Sequence, residues 1–355
     1  MIRSHAKKMI HNIISNNMSK ITTIAVIYGS DTSESDISCR SGEFTASRID
    51  EFKYDVYEIF ARHGRWQLVA YRRRNAIRVP LPEGSRPEVD KSDFSVVLLG
   101  EKIRFDYAYI MQHGAPGESG QMQGYLEMLG IPCSTCSSFV SAVAFDKYSC
   151  KSYLRGADEV LMAPDVFVRK GGDLSEACAK VRSKLRFPVF VKPTCSGSSF
   201  GITKVDKPED LEQAIGFAFS EGDTVLVEQG IEGRELTCAV YKGAEGVKAL
   251  PVIEIVTDNE YFDYDAKYNG SSEEVCPAKI SEEERQTVQH TTERIYENMG
   301  CSGVVRMDYI LSGKDLYFLE INTIPGMTNA SLVPKMVRAA GMQVTEFLSD
   351  IIENS

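Results

Sequence analysis

Near the end of the chain, Arg306, Asp308, Glu320 and Asn322 lie close together in GVVRMDYILSGKDLYFLEINTIPGMTNASLVP, residues 303–334. The pattern predicts two strands, 303–311 and 316–322, joined by Ser-Gly-Lys-Asp. Alternation places Arg306, Asp308 and Ile310 on one face of the first. On the second, Leu316, Phe318, Glu320 and Asn322 alternate with Tyr317, Leu319 and Ile321. A three-residue loop over 313–315 pairs Ser312 with Leu316, setting Asp308 opposite Glu320 and Arg306 opposite Asn322. A two-residue loop sends the carboxylates to opposite faces, because a one-residue slip flips every side chain. Charges on an otherwise apolar hairpin are costly to desolvate unless they are paired or bind metal. Oxygen donors of this kind suit magnesium, which takes a few carboxylates plus waters and substrate phosphates. Two carboxylates and an amide can hold a pair of ions about 4 Å apart around a phosphate, with Arg306 as fixed positive charge nearby. A salt-bridge cluster on a solvated sheet face fits the same spacing. Pro325 and Gly326 shift the balance toward ligand binding, since they end the strand abruptly and free backbone N–H groups at its tip.

The rest of the chain must position that hairpin. Its 355 residues suffice for two or three domains with substantial cores. With 43% hydrophobic and 25% charged residues, the composition is that of a soluble globular protein. A net charge of −10 argues against general nucleic-acid or anionic-membrane binding but leaves room for a local basic funnel. No apolar run approaches the ~20 residues that span a bilayer. Nine cysteines, an odd and scattered set, make no disulfide framework and fit a reducing cytoplasm. Cys133 and Cys136 form a CxxC without a second ligand pair. Residues 1–20 carry Arg3, Lys7, Lys8 and Lys20 and no acid. They lack a signal's apolar core and read as a disordered arm or as an upstream start ahead of Met18.

In chain order, 21–28 reads as a buried strand, followed by a loop carrying Glu34. A helix is expected over 41–63, with Phe52, Val56, Ile59 and Phe60 as its apolar stripe and Gly64 as its end. Strands at 66–71, 94–98 and 107–111 complete an open parallel sheet, whose ligands would sit beyond the strands' carboxyl ends. His113-Gly-Ala-Pro-Gly-Glu118-Ser-Gly lies at such an end. Helices follow at 121–129 and 141–154, the second bearing Lys147. A smaller α+β unit then has a helix at 173–185 and a strand at 188–192. There, small residues in TCSGSSFG allow N–H groups to wrap a phosphate before a strand ITKV. Neither GxxxxGK[ST] nor GxGxxG occurs. A helix from Pro208 and a strand at 224–227 lead to EQGIEGRE, residues 228–235. The polar stretch 257–277, with Tyr261, Tyr264 and Tyr268, reads as a lid. Ser281 and Glu284 form a capping box for a helix ending at Gly300, and 345–353 is a packing helix.

LEINTIPGMTNASLVP resembles the C-terminal signature of the D-alanine–D-alanine ligases, members of the ATP-grasp superfamily. Further resemblances occur in family order, covering roughly 21–352: the loops bearing Glu34 and His113, SAVAFDK, VKPTCSGSSFG, EQGIEGRE and FDYDAKY. They imply a mixed α/β and α+β architecture: an ATP-grasp fold with an N-terminal open parallel α/β (Rossmann-like) domain. The implied division is 21–140 for the first substrate, 141–230 for a central ATP-grasp subdomain, and 231–355 for the C-terminal subdomain with the metal and catalytic site. The resemblance also implies ATP-dependent joining of two D-alanines through an acyl phosphate, releasing ADP and phosphate for peptidoglycan synthesis. Alternatives are D-lactate or D-serine as second substrate, or a non-catalytic ATP-binding regulator. Tyr268 speaks against D-lactate, whose users generally replace that tyrosine.

By the same resemblance Glu34 and His113 contact the first D-alanine, and Glu118 falls on a family acidic position. Lys147 and Lys192 reach ATP phosphates. Glu228 and Ile231 meet the adenine, and Glu235 the ribose. Ser198 lies near substrate and is bonded by Tyr268 when the lid closes; Lys267 takes a phosphate or carboxylate. Asp308, Glu320 and Asn322 hold two Mg (or Mn) ions. Arg306 and the Gly326 N–H stabilise an oxyanion, and Ser331 with the Leu332 N–H holds the second carboxylate. A cytoplasmic homodimer is the family expectation.

Overall fold

The first strand, Thr23–Tyr28, is buried along nearly its whole length and lies inside a sheet. This computed structural model describes residues 22–155, 160–195, 201–257 and 272–355. The sheet runs Val79–Pro80, Arg65–Arg72, Asp55–Arg62, Thr23–Tyr28, Tyr107–Ile110. Thr23–Tyr28 is parallel to both its neighbours, whereas Asp55–Arg62 turns back into an antiparallel hairpin with Arg65–Arg72. Only three of its strands are therefore parallel, and the expected all-parallel sheet is corrected. Residues 95–98 also lie elsewhere, in a three-stranded antiparallel sheet with Val89–Asp90 and Glu101–Arg104.

The helix expected over 41–63 is likewise corrected. The helix is Ser35–Arg48, and Asp55–Arg62 is a strand. A strand flanked by neighbours and covered on both faces need not alternate. The spacing of Val56, Ile59 and Phe60 then imitates a helical stripe. The true helix faces the sheet with Ser38, Ser41, Gly42, Thr45 and Ala46, which give almost no hydrophobic signal. Small residues are needed there: a Cβ on Gly42 would lie 2.2 Å from the Tyr28 ring.

The second sheet, Asp165–Arg169, Thr224–Gln229, Val189–Pro193, Thr203–Val205, is antiparallel throughout. Helices Leu174–Lys184 and Leu211–Ala218 cover it through Val181, Leu211 and Ile215, packed on Val166, Val189 and Val191. The expected helix 141–154 is two helices, Ser138–Phe145 and Lys147–Leu154. Asp146 breaks it: its backbone is extended and its carboxylate accepts from the Ser149 N–H at 2.7 Å, capping the second helix.

The third sheet runs Ser272–Val275, Ile253–Thr257, Arg234–Gly243, Val304–Ser312, Asp315–Asn322, Leu161–Met162, with Gly246–Ala249 also on Arg234–Gly243. Helix Glu282–Met299 packs on it; the Ser281/Glu284 capping box is formed, and Gly300 ends the helix in the left-handed conformation at φ 66°. The hairpin is Val304–Ser312 with Asp315–Asn322. Its turn has two residues, because Ser312 pairs with Asp315, yet Asp308 still lies opposite Glu320 and Arg306 opposite Asn322. A bulge reconciles the two. Tyr309 pairs with Phe318, Asp308 with Glu320, and Leu319 is the extra residue between. Leu316 and Phe318 thus enter the core with Ile321, while Glu320 and Asn322 turn to the other face.

Candidate functional site

Arg306 and Asp308 are two residues apart on one strand and share its face. The guanidinium grips the carboxylate bidentately, Nε to Oδ1 at 2.9 Å and Nη2 to Oδ2 at 2.8 Å, and the Thr237 hydroxyl donates to Oδ1 at 2.6 Å. Across the ladder, Glu320 Oε2 lies 3.2 Å from Lys147 Nζ. Burial opposes the Lys147 charge, but the Glu320 carboxylate holds its pKa above the ordinary lysine value. Asn322 Oδ1 accepts from the Ile324 N–H at 3.1 Å, which folds the tail back on the strand.

Lys147 opens helix Lys147–Leu154, and its N–H donates to Thr194 O at the start of the glycine-rich loop. One helical turn later, Lys151 shares the same face. Its ammonium contacts Glu228 Oε1, while Lys192 contacts Glu228 Oε2. A single helix therefore reaches Glu320 on the third sheet with one lysine and Glu228 on the second with the next. Burial, helped by the Lys151 and Lys147 charges, pushes the Lys192 pKa down, and burial pushes that of Lys151 down; the Glu228 carboxylate that both contact favours their charged forms. Three lysines set against two carboxylates leave a local excess of positive charge that favours an anion. Ile231 lies just beyond the strand of Glu228, and Glu235 is on Arg234–Gly243 opposite Ile310 and Ile255.

A second cluster forms where the first sheet ends. Glu34 precedes helix Ser35–Arg48, and its Oε2 lies 3.1 Å from where a Cβ on Gly114 would sit. The Gly114 N–H donates to Glu118 Oε2 at 2.7 Å. His113 Nδ1 is 2.9 Å from the Ile324 carbonyl, which can only accept, so that nitrogen carries the proton. Its Nε2 then accepts from Ser41 Oγ at 3.0 Å, and Ser41 in turn accepts from the Met327 N–H at 3.3 Å. Burial lowers the His113 pKa, against the pull of Glu34, and keeps the ring neutral at neutral pH. His113 thus ties the N-terminal loops to the tail of the hairpin. Ser331 heads helix Leu332–Ala339; its Oγ accepts from the Thr328 N–H at 2.9 Å and lies 3.1 Å from where a Cβ on Gly326 would sit.

Burial and the nearby Glu34 charge raise the Glu118 carboxyl from 4.5 to about 8. The folded chain holds that proton across a range where the unfolded chain has lost it, so this group withdraws stability as pH rises from about 4.5 to about 8. Glu118→Gln is expected to flatten the decline. Thermal midpoints between about pH 5 and 8 would check it, and an unchanged slope would refute the raised value.

The structure therefore gathers Arg306, Asp308, Glu320, Asn322 and Lys147 in one group, Lys192 and Glu228 in another, and Glu34, Glu118 and His113 in a third. Ser198, Lys267 and Tyr268 lie outside the described residues, as do the arm 1–20 and most of the expected lid. Three participants were not singled out from sequence: Ser41, Thr237 and Lys151. Only Lys151 carried a signal, four residues after Lys147.

An open α/β sheet followed by two further sheets, bridged by lysines over a carboxylate-bearing hairpin, defines an ATP-grasp enzyme. Solved structures share the fold over most of the chain. VanG D-Ala:D-Ser ligase from Enterococcus faecalis superposes with a TM-score of 0.82 at 29% identity, covering 94% of this chain and 99% of that one. D-alanyl-alanine synthetase A from Vibrio cholerae gives 0.80 at 26%, covering 94% and 98%. D-alanine–D-alanine ligase from Bacillus anthracis, complexed with ATP, gives 0.72 at 28%, covering 94% and 97%. Residues 23–136 match the family described as D-ala D-ala ligase N-terminus, and 159–353 the D-ala D-ala ligase C-terminus. The D-alanine–D-alanine ligase of Phocaeicola vulgatus is 43% identical over 94% of this chain and 98% of its own; that of Bacteroides thetaiotaomicron is 45% identical over the same shares. The chain belongs to the D-alanine–D-alanine ligase family.

Proposed function

We propose that the chain joins two D-alanines to D-alanyl-D-alanine with ATP, releasing ADP and phosphate, as a step of peptidoglycan synthesis. The observation that carries this reading is the Arg306–Asp308–Glu320 face set against Lys147 in a chain of this family. A carboxylate is a poor acyl donor. Phosphorylation by ATP turns it into an acyl phosphate; the second amine attacks the carbonyl carbon, and phosphate leaves from the tetrahedral adduct. Arg306 and the Gly326 N–H meet the oxyanion, Lys147 and Lys192 bind phosphates, and Glu228, Ile231 and Glu235 hold adenine and ribose. Glu34 and His113 orient the first D-alanine; Ser331 and the Leu332 N–H receive the second carboxylate at a helix start, where the dipole favours an anion. Ser198, Tyr268 and Lys267 complete this assignment.

The donor set fits magnesium or manganese. Asp308, Glu320 and Asn322 offer oxygens from one face, and among the described residues no group of three or more His, Cys, Asp or Glu forms a protein cage. Such an ion would draw its other ligands from water and phosphate. When bound, it would neutralise charge on the transferring phosphoryl group. The division at 140 and 230, a cytoplasmic location and a homodimer belong to the same reading. No helix among the described residues is long and apolar enough to cross a membrane.

The test is ADP release with D-alanine, L-alanine or D-lactate side by side. D-alanine alone should stimulate it. Release that ignores D-alanine would sink the ligase, and faster D-lactate transfer at neutral pH would change the second substrate.

A further inference from the structure

Lys151 has no part in the reading above, yet its side chain is only 1% exposed. A buried ammonium is costly unless well paired. Its partner is Glu228, whose side chain is 4% exposed and whose other oxygen is taken by Lys192. Glu228 sits on the central strand Thr224–Gln229, between Asp165 and Phe190 on the flanking strands. Asp165 is engaged by Arg155, and its charge also favours the Lys151 ammonium, but the contact that Lys151 makes is with Glu228. One buried carboxylate is thus shared by two lysines, one of which is assigned to phosphate.

We propose that Lys151 is a positioning residue for base selection: it keeps Glu228 ionised and in place to accept a hydrogen bond from the adenine 6-amino group once Lys192 has moved to the phosphates. The inference rests on the assignment of Glu228 to adenine. With Lys151 present, Lys192 can leave without stranding a buried carboxylate. Without it, Glu228 must keep Lys192 or take up a proton. The first course costs the phosphates a lysine; the second removes the ionised acceptor.

The test compares kcat/KM for ATP with that for purine riboside triphosphate, which lacks the 6-amino group, in the full chain with D-alanine and a phosphate-release readout. Lys151→Met is expected to shrink the preference for ATP by about tenfold or more, the size of a hydrogen bond to a charged group. Glu228→Gln should shrink it comparably, and the double variant should match Glu228→Gln alone. A merely structural role would lower both nucleotides equally. If Glu228→Gln collapses the preference and Lys151→Met leaves it intact, Lys151 is not the positioning residue. If Glu228→Gln leaves it intact, the adenine assignment itself fails. Should Lys151→Met not fold, recovery of folding in the double variant supports the pairing; failure of the double variant while Glu228→Gln folds overturns it.

Discussion

Arg306→Met is expected to lower kcat for D-alanine-dependent ADP release by about a hundred- to a thousandfold, the usual cost of removing one oxyanion donor. The cause is preorganisation. The guanidinium is held on two atoms by Asp308, which is itself fixed by Thr237, so its direction is set before substrate arrives. Arg306→Lys should recover little, because a single ammonium cannot reproduce the planar fork that fixes the group. Methionine also leaves Asp308 without its cation, and breaking a buried pair costs about 3–5 kcal/mol at the extreme. Thermal unfolding must therefore accompany the kinetics. The result that supports the assignment is a large fall in kcat with KM for ATP nearly unchanged in a folded variant. A folded variant with near-normal kcat would remove Arg306 from the chemistry.

What the sequence made legible was mostly local chemistry. The Ser281/Glu284 box, the helix over 121–129 and the alternating hairpin each carry their signal in a few adjacent residues. The failures share a physical cause. Asp55–Arg62 is a central strand whose burial on both faces erased the alternation that marks a strand. Helix Ser35–Arg48 packs through serines and glycine, so it showed no stripe. Asp146 read as one more helical residue, because a cap is distinguished from an interior aspartate only by its backbone. At the hairpin, the right facing of Asp308 and Glu320 was expected from the wrong loop. Alternation plus a three-residue turn and a two-residue turn plus a bulge give the same parity, and only the strand pairing separates them. Thr237 lay beyond reach, since its role depends on a strand pairing with Asp308 across more than seventy positions of chain.

Asp308→Asn is the second large effect, an expected loss on the order of a thousandfold in turnover. Asparagine keeps the shape and the strand position but removes the charge that serves two groups at once, the Arg306 fork and any divalent ion on this face. A Lewis-acid contact to a phosphoryl group is worth several kcal/mol, and each 1.36 kcal/mol is tenfold in rate. The two losses differ in their response to metal. An amide oxygen still coordinates, only more weakly, so raising Mg²⁺ should restore part of the activity of Asp308→Asn and none of that of Arg306→Met. Titrating Mn²⁺ into each variant with ADP present supplies the readout apart from turnover: weakened binding for Asp308→Asn, near-normal binding for Arg306→Met. If Asp308→Asn binds Mn²⁺ as the parent does, the aspartate serves only to hold the arginine, and the hairpin face is the salt-bridge cluster that its spacing equally allowed.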